Sequence, residues 1–325
     1  MRSLRTLLTI PTVAVLTVTA AAGCLSSNNA TATAKGGSLA EIASLKGATF
    51  TVGSKEFTEQ LILCNITSLA LRSVGATVQE KCGLQGSNLT RASLTSGSID
   101  MYWEYTGTAW IVHFKHTDPI NDPAKQYEAV AQEDLTKNKI KWGAPAPAND
   151  TYAIVVKTST AQDLHVTSIS DYAKLVQSNP AKASMCVASE FNGRNDGFPG
   201  LEKAYGFTVP GDKLSVIAEG ALYSSVAKGD PCVFSEATTT DGRVSSLGLT
   251  ILTDDKQFFP VYNPALTVRE SVYKSHPDLL KIMDPIARVL TNELLQQLNG
   301  EVDIKGEDPA KVAQNWLQAK GFIGK

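Results

Sequence analysis

Histidine is scarce, cysteines are widely spaced, and no basic run or long apolar run follows the N-terminus of this 325-residue chain. Each shortage closes off a class of function. The four histidines are scattered and no C-x-x-C spacing occurs among the five cysteines, so no metal site is expected. A formal net charge of -2 without a Lys/Arg cluster gives no electrostatic footprint for nucleic acid. The G-x-S-x-G elbow, the phosphate-cradling G-x-x-x-x-G-K loop and the H-E-x-x-H helix are all missing. Neither an enzyme nor a cofactor is expected. His113 and His116 lack a third ligand and read as surface residues, while Asp196 and Asp241, each before glycine, read as turn formers.

What is present begins with an address. Arg2 and Arg5 precede an apolar run from Leu7 to Thr19, which is short of the ~20 residues a membrane span needs. Ala20 to Gly23 then supply a small-residue cleavage site, so residues 1–23 read as an export signal. The sequence Ala-Ala-Gly-Cys resembles a bacterial lipobox. That resemblance implies cleavage before Cys24, a lipid on its thiol, and attachment to the extracytoplasmic face of the cell membrane. Residues 24–43, mostly small and polar at first, read as a flexible tether.

The body alternates strand and helix. A strand over Ala48 to Val52 leads to a helix from Thr58, a strand at Thr77 to Glu80, and a helix capped near Ser87 and closed by Gly97. Another strand, Ile99 to Trp103, follows. Such alternation predicts an α/β fold with a mainly parallel sheet flanked by helices. Ala144-Pro145-Ala146-Pro147 punctuates the chain, and Thr151 to Val156 opens a second lobe of the same kind. The helices over Pro277 to Leu298 and Pro309 to Phe322 have no sheet of their own, so the chain is expected to return to the first lobe. Lobe 1 then comprises residues 44–150 and 260–325, lobe 2 comprises 151–259, and the two crossings form a hinge.

Two short echoes relate the lobes. Val52 to Phe57 is matched loosely by Val187 to Phe191, and Glu104 to Thr108 by Glu236 to Thr240. They fit two similar sheets presenting equivalent strand ends to one cleft. Four cysteines remain after Cys24, an even set that suggests two disulfides in an exported chain. Three pairings are open. Cys64–Cys82 and Cys186–Cys232 keep each bond inside one lobe and are the expected pairs.

The stretch Gly97 to Trp110, GSIDMYWEYTGTAW, places many amphipathic rings at a strand end. Aromatic faces attract poorly hydrated cations such as quaternary ammonium groups. Tyr105, Tyr152 and Tyr262 each fall at a lobe edge or hinge and would form a cage between the lobes. Lys55 and Arg194, one from each lobe, would hold a ligand carboxylate, arginine through a bidentate fork. The Thr106 and Thr108 hydroxyls would add hydrogen bonds, and Gly107 would let backbone approach closely.

Several longer motifs then carry a family resemblance. Val52-Gly53-Ser54-Lys55-Glu56-Phe57-Thr58-Glu59-Gln60 and Glu104-Tyr105-Thr106-Gly107-Thr108-Ala109 are similar to segments of the osmoprotectant-binding proteins of ABC importers. So are Asn149 to Ala153, Glu190-Phe191 through Arg194-x-Asp196-Gly197, Thr240-Asp241-Gly242-Arg243 and Phe258-Phe259-Pro260-x-Tyr262. The resemblance spans about Thr49 to Phe322. It implies a two-lobe, type II periplasmic-binding-protein fold with the ligand cleft between the lobes. It also implies a quaternary-ammonium ligand (glycine betaine, choline, carnitine or proline betaine) and ABC permease and ATPase partners. In such proteins tyrosines cage the ammonium while a lysine and an arginine meet the carboxylate, which carries over to Tyr105, Tyr152, Tyr262, Lys55 and Arg194. One position departs: a further cage tyrosine before the Thr-Asp of the second lobe is replaced by Ala237-Thr238. Glu236 and Thr238 are therefore additional candidates, Glu236 as an anionic wall favouring a cation such as choline, with Tyr223 the nearby ring. A monomer is expected. The alternatives are a receptor for another polar solute, such as an amino acid, and a sensor lipoprotein that transports nothing.

Overall fold

The computed structural model describes residues 36–325. The expected signal at 1–23, the lipidation site Cys24 and most of the tether lie outside the described residues. The tether ends earlier than residue 43. Ser38–Ile42 is a short helix with Leu39 fully buried, and the Ser38 and Leu39 amides donate to the carbonyls of Gly321 and Phe322. A single leucine in a run of small residues docks this segment onto the C-terminus.

Ten strands form two five-stranded sheets among the described residues. In chain order they are β1 (Thr49–Lys55), β2 (Thr77–Leu84), β3 (Met101–Tyr105), β4 (Ile140–Pro145) and β5 (Tyr152–Lys157). Then come β6 (Met185–Val187), β7 (Leu214–Val216), β8 (Phe234–Thr238), β9 (Leu249–Ile251) and β10 (Pro264–Arg269). The first sheet runs β2-β1-β3-β10-β4 and the second β7-β6-β8-β5-β9. The two orders match position for position, with β1 and β3 in the places of β6 and β8.

The sheets are mixed, where the sequence suggested mainly parallel ones. β10 pairs antiparallel with β3 and β4, and β5 pairs antiparallel with β8 and β9. The reason is the crossings. Each of these two strands starts at the hinge just after the chain changes lobes, so it must run away from the cleft. β1, β3, β6 and β8 run toward it.

Local signals explain most boundaries. Helix Thr58–Ser73 buries Ile62, Leu63, Ile66 and Leu69 on helical spacing. Gly97, at φ 82°, provides the left-handed cap that ends helix Gly86–Ser96. In the ring-rich stretch the chain turns helical at once after Tyr105, through Thr106–Thr108 and a wider turn over Ala109–His113. The long helix expected near the C-terminus is two, Asp278–Ala287 and Asn292–Asp303, because the Thr291 hydroxyl caps a new start at the Leu294 amide. In the second sheet alternate residues of β5 serve opposite cores, Ile154 and Val156 on one face and Val155 on the other. Both expected disulfides are present: Cys64–Cys82 ties helix Thr58–Ser73 to the edge strand β2, and Cys186–Cys232 ties β6 to the approach of β8.

The crossing segments are stitched together. Tyr262 N donates to Asn149 Oδ1 at 2.7 Å, Asp150 N to Tyr262 O at 3.1 Å, and Asn263 Nδ2 to Ala148 O at 2.7 Å.

Candidate functional site

Four strands end at one cleft between the sheets: β1 at Lys55, β3 at Tyr105, β6 beside Ala188 and β8 at Thr238. Strand carboxyl ends are where open α/β sheets bind ligands, because loops there diverge and helix N-termini converge. The cleft has a volume of about 460 Å³. Tyr105, Tyr152 and Tyr262 all line it, as do Lys55, Arg194, Thr108, Glu236 and Thr238.

Acidic side chains stand behind two of the rings and an aromatic one behind the third. Tyr105 donates its hydroxyl to Glu59 Oε1 at 2.8 Å, accepts from Gln60 Nε2 at 3.1 Å, and stacks on Phe57 with centroids 6.1 Å apart. Tyr262 donates to Asp196 Oδ2 at 2.6 Å. Its ring lies on Gly107, where an added Cβ would sit 2.6 Å from ring carbons. Tyr152 meets Tyr262 edge to face at 5.5 Å and is backed by Phe191 at 4.7 Å.

The cations of the cleft already have partners. Lys55 Nζ lies 2.7 Å from Glu104 Oε1 and 5.0 Å from the Tyr105 centroid. Glu104 also accepts from the Tyr102 hydroxyl at 2.6 Å and the Tyr105 amide at 2.8 Å, and faces His113 Nε2 at 2.8 Å. Burial opposes its ionisation, but Lys55 and His113 hold the Glu104 carboxyl far below the usual carboxylate range. Arg194 forks onto Asp196 through Nε at 2.8 Å and Nη2 at 2.6 Å, and reaches Glu190 through Nη1 at 2.8 Å. Its guanidinium sits 5.3 Å from the Tyr152 centroid and 5.9 Å from that of Tyr262.

Three sequence readings need correction. His113 is not a surface residue: its side chain is 5% exposed and belongs to the Glu104 cluster. Asp196 and Asp241 are more than turn formers, since each is buried against an arginine, Arg194 and Arg243 respectively. Thr106 does not line the cleft. Its hydroxyl donates to Val261 O at 3.2 Å and accepts from Asn263 N at 3.1 Å, pinning the second crossing to lobe 1. Tyr223 is also unavailable as a replacement ring; it accepts from the Thr238 amide at 3.1 Å and packs under Arg243 at 4.1 Å.

Acids that were not among the ligand-binding candidates complete the walls. Asp150, Glu190, Glu219 and Asp303 all line the cleft. Burial first, then the charges of Glu56 and Glu190, raises Glu219 to about 8, and burial raises Asp150 to about 6. Burial also lifts the Glu236 carboxyl well above its ordinary value. Glu190 and Asp150 stand inside motifs that were visible; Glu219, at the start of helix Glu219–Lys228, carries no local signal. Glu190 also spans the cleft. It accepts from Ser87 N at 3.1 Å and Ser87 Oγ at 2.6 Å, so a lobe 2 carboxylate caps the N-terminus of lobe 1 helix Gly86–Ser96.

Known proteins share this architecture. Residues 48–319 match the family model described as the substrate binding domain of ABC-type glycine betaine transport systems. A glycine-betaine-binding protein of Pseudomonas aeruginosa is 36% identical over 275 residues, covering 83% of this chain and 87% of that protein. The glycine betaine-binding protein YehZ of Escherichia coli is 35% identical over 83% of this chain and 90% of its own length. The apo structure of YehZ superposes with a TM-score of 0.63, covering 85% of this chain and all of that one. Fold, cleft and sequence agree, and the chain belongs to the family of substrate-binding domains of ABC-type glycine betaine transport systems.

Proposed function

We propose that this protein captures a quaternary-ammonium osmoprotectant outside the cytoplasm and delivers it to an ABC permease, held at the membrane by a lipid on Cys24. The ligand class is glycine betaine, choline, carnitine or proline betaine. The observation that carries the reading is the convergence of Tyr105, Tyr152 and Tyr262 on one interlobe cleft, two of them with hydroxyls bonded to buried acidic side chains. Each ring facing a desolvated ammonium contributes about 0.5–2 kcal/mol. The relatives named for glycine betaine support the ligand class, and the Ala-Ala-Gly-Cys sequence supports the anchor. Binding is coupled to lobe closure about the stitched crossings, with no chemistry on the ligand, and the protein acts as a monomer.

Calorimetric titration of the chain from Cys24 onward with the four compounds tests the reading. At least one should bind, and Tyr152→Ala should weaken that ligand about tenfold or more. Absence of heat with all four would sink the ligand class while leaving the family assignment intact.

A further inference from the structure

Behind the cage, two buried acids face each other across the lobe boundary at the hinge. Glu59, in the first turn of helix Thr58–Ser73, is 2% exposed, and Asp150, on the first crossing, is 8% exposed. Neither forms an ion pair among the described residues, since Lys55 and Arg243 pair with Glu104 and Asp241. Hydrogen bonds gather the two acids into one chain. Glu59 accepts from the Tyr105 hydroxyl at Oε1, 2.8 Å away, and from Asn299 Nδ2 at Oε2, 3.2 Å away. Asn299 also donates to Thr240 O at 3.0 Å, and the Thr240 hydroxyl donates to Asp150 Oδ1 at 2.6 Å.

The cage strand β3, two helices of lobe 1, the first crossing and the lobe 2 loop after β8 therefore meet at one point. The loop is seated closely: a Cβ on Gly242 would fall 2.6 Å from Gln296 O, and Gln296 Nε2 donates to Thr239 O at 2.7 Å. A buried carboxylate without a cation is costly, and two that face each other cannot both be charged. The Thr240 hydroxyl gives its one hydrogen to Asp150, so toward Glu59 it can only accept, which calls for a proton on Glu59.

We infer that Glu59 and Asp150 hold a single proton between them when the lobes are closed, and that ligand capture takes this proton up from solvent. Glu59 is then a positioning residue, neutral in the closed form and holding Tyr105 from behind. The inference rests on the lobe closure proposed above and adds a proton to it, whichever osmoprotectant is bound.

Burial, then the Asp150 charge, raises Glu59 to about 8, against hydrogen bonds from Thr240, Tyr105 and Asn299. Burial raises Asp150 to about 6; Asp241 adds to the rise, while Thr240, Thr238 and Lys55 oppose it. At neutral pH the proton sits on Glu59. Parting the lobes would draw Thr240 away and admit water, so both acids would move back toward their ordinary values and the proton would leave. A carboxyl raised in the closed form favours closure fully below its open value, and that contribution is lost as pH rises through about 8. Acids that meet the ligand's ammonium directly act in the opposite sense, because a cation favours their ionised form and expels a proton.

The experiment is titration of the chain from Cys24 onward with glycine betaine, choline, carnitine and proline betaine at pH 6 and pH 8, each in two buffers of different ionisation enthalpy. Any compound that binds should do so with net proton uptake. It should also bind roughly ten- to fiftyfold more weakly at pH 8, since one proton sets a ceiling of about tenfold per pH unit. Glu59→Gln, neutral at both values, should lose the uptake and most of the pH dependence. Net release or no exchange in the wild type overturns the inference without any variant, as does uptake that persists in a folded Glu59→Gln. If none of the four compounds gives heat, the ligand class falls and small-angle scattering of the ligand-free protein decides the matter. A more open profile at pH 9 than at pH 6 then supports the shared proton, and the same profile at both overturns it.

Discussion

Gly107 shows how little room the cage leaves for error. Its missing side chain is the floor on which the Tyr262 ring rests, and the Val261 carbonyl lies 2.8 Å from where a Cβ would project. Both neighbours are constrained, the ring by its bond to Asp196 and the carbonyl by Thr106 and Gln126. Gly107→Ala should therefore push Tyr262 off its seat, at an overpacking cost of about 1–3 kcal/mol, and weaken ligand binding about tenfold in a titration. Unchanged affinity would show that the ring tolerates the shift. This position was readable in sequence, because a glycine between two threonines after a ring-rich strand has few other uses. Asp196 and Glu190 stand within four residues of Arg194 and were readable as its partners, whereas the partner of Lys55 was not. Glu104 lies 49 residues from Lys55, and only the adjacency of β1 and β3 brings them together. A motif names the residues of a site, but its charge balance depends on contacts between strands.

Between residue and molecule stand the devices that join the lobes. Glu190 caps helix Gly86–Ser96 from across the cleft, an electrostatic contact that exists only when the lobes are close. Its carboxylate is partly exposed, so solvent screening limits its worth to roughly 1 kcal/mol. Glu190→Ala should open the unliganded protein measurably in small-angle scattering and speed ligand dissociation, with Ser87→Ala doing less because the amide donor remains. An identical scattering profile in Glu190→Ala would mean that the stitched crossings alone set the lobe angle. The elements themselves were largely legible, since caps, glycine stops and hydrophobic spacing are local. The direction of β5 and β10 was not, because it depends on where the chain re-enters a sheet. The helical start after Tyr105 was also missed: Thr and Gly are poor helix formers, and packing under Tyr262 and the second crossing overrides them here.

For the whole molecule, the place of β10 dictates an order of assembly. It lies between β3 and β4 and, among the described residues, is their only link in the sheet, since β4 pairs with no other strand there. The first sheet therefore stays incomplete until residue 264 of 325 has been made. The second sheet draws all its strands from one continuous segment and has no such wait. Contacts between distant parts of a chain form slowly, because loop closure precedes their reward. All four tryptophans, Trp103, Trp110, Trp142 and Trp316, belong to the part that waits. After dilution from denaturant with the disulfides intact, tryptophan fluorescence should lag behind the recovery of far-ultraviolet circular dichroism. Coincident traces would show that both lobes fold in one step. A nascent chain stopped short of β10 would carry a finished second lobe and, beside it, a β3 edge with no partner: a built-in interval during which half the protein is still threadable.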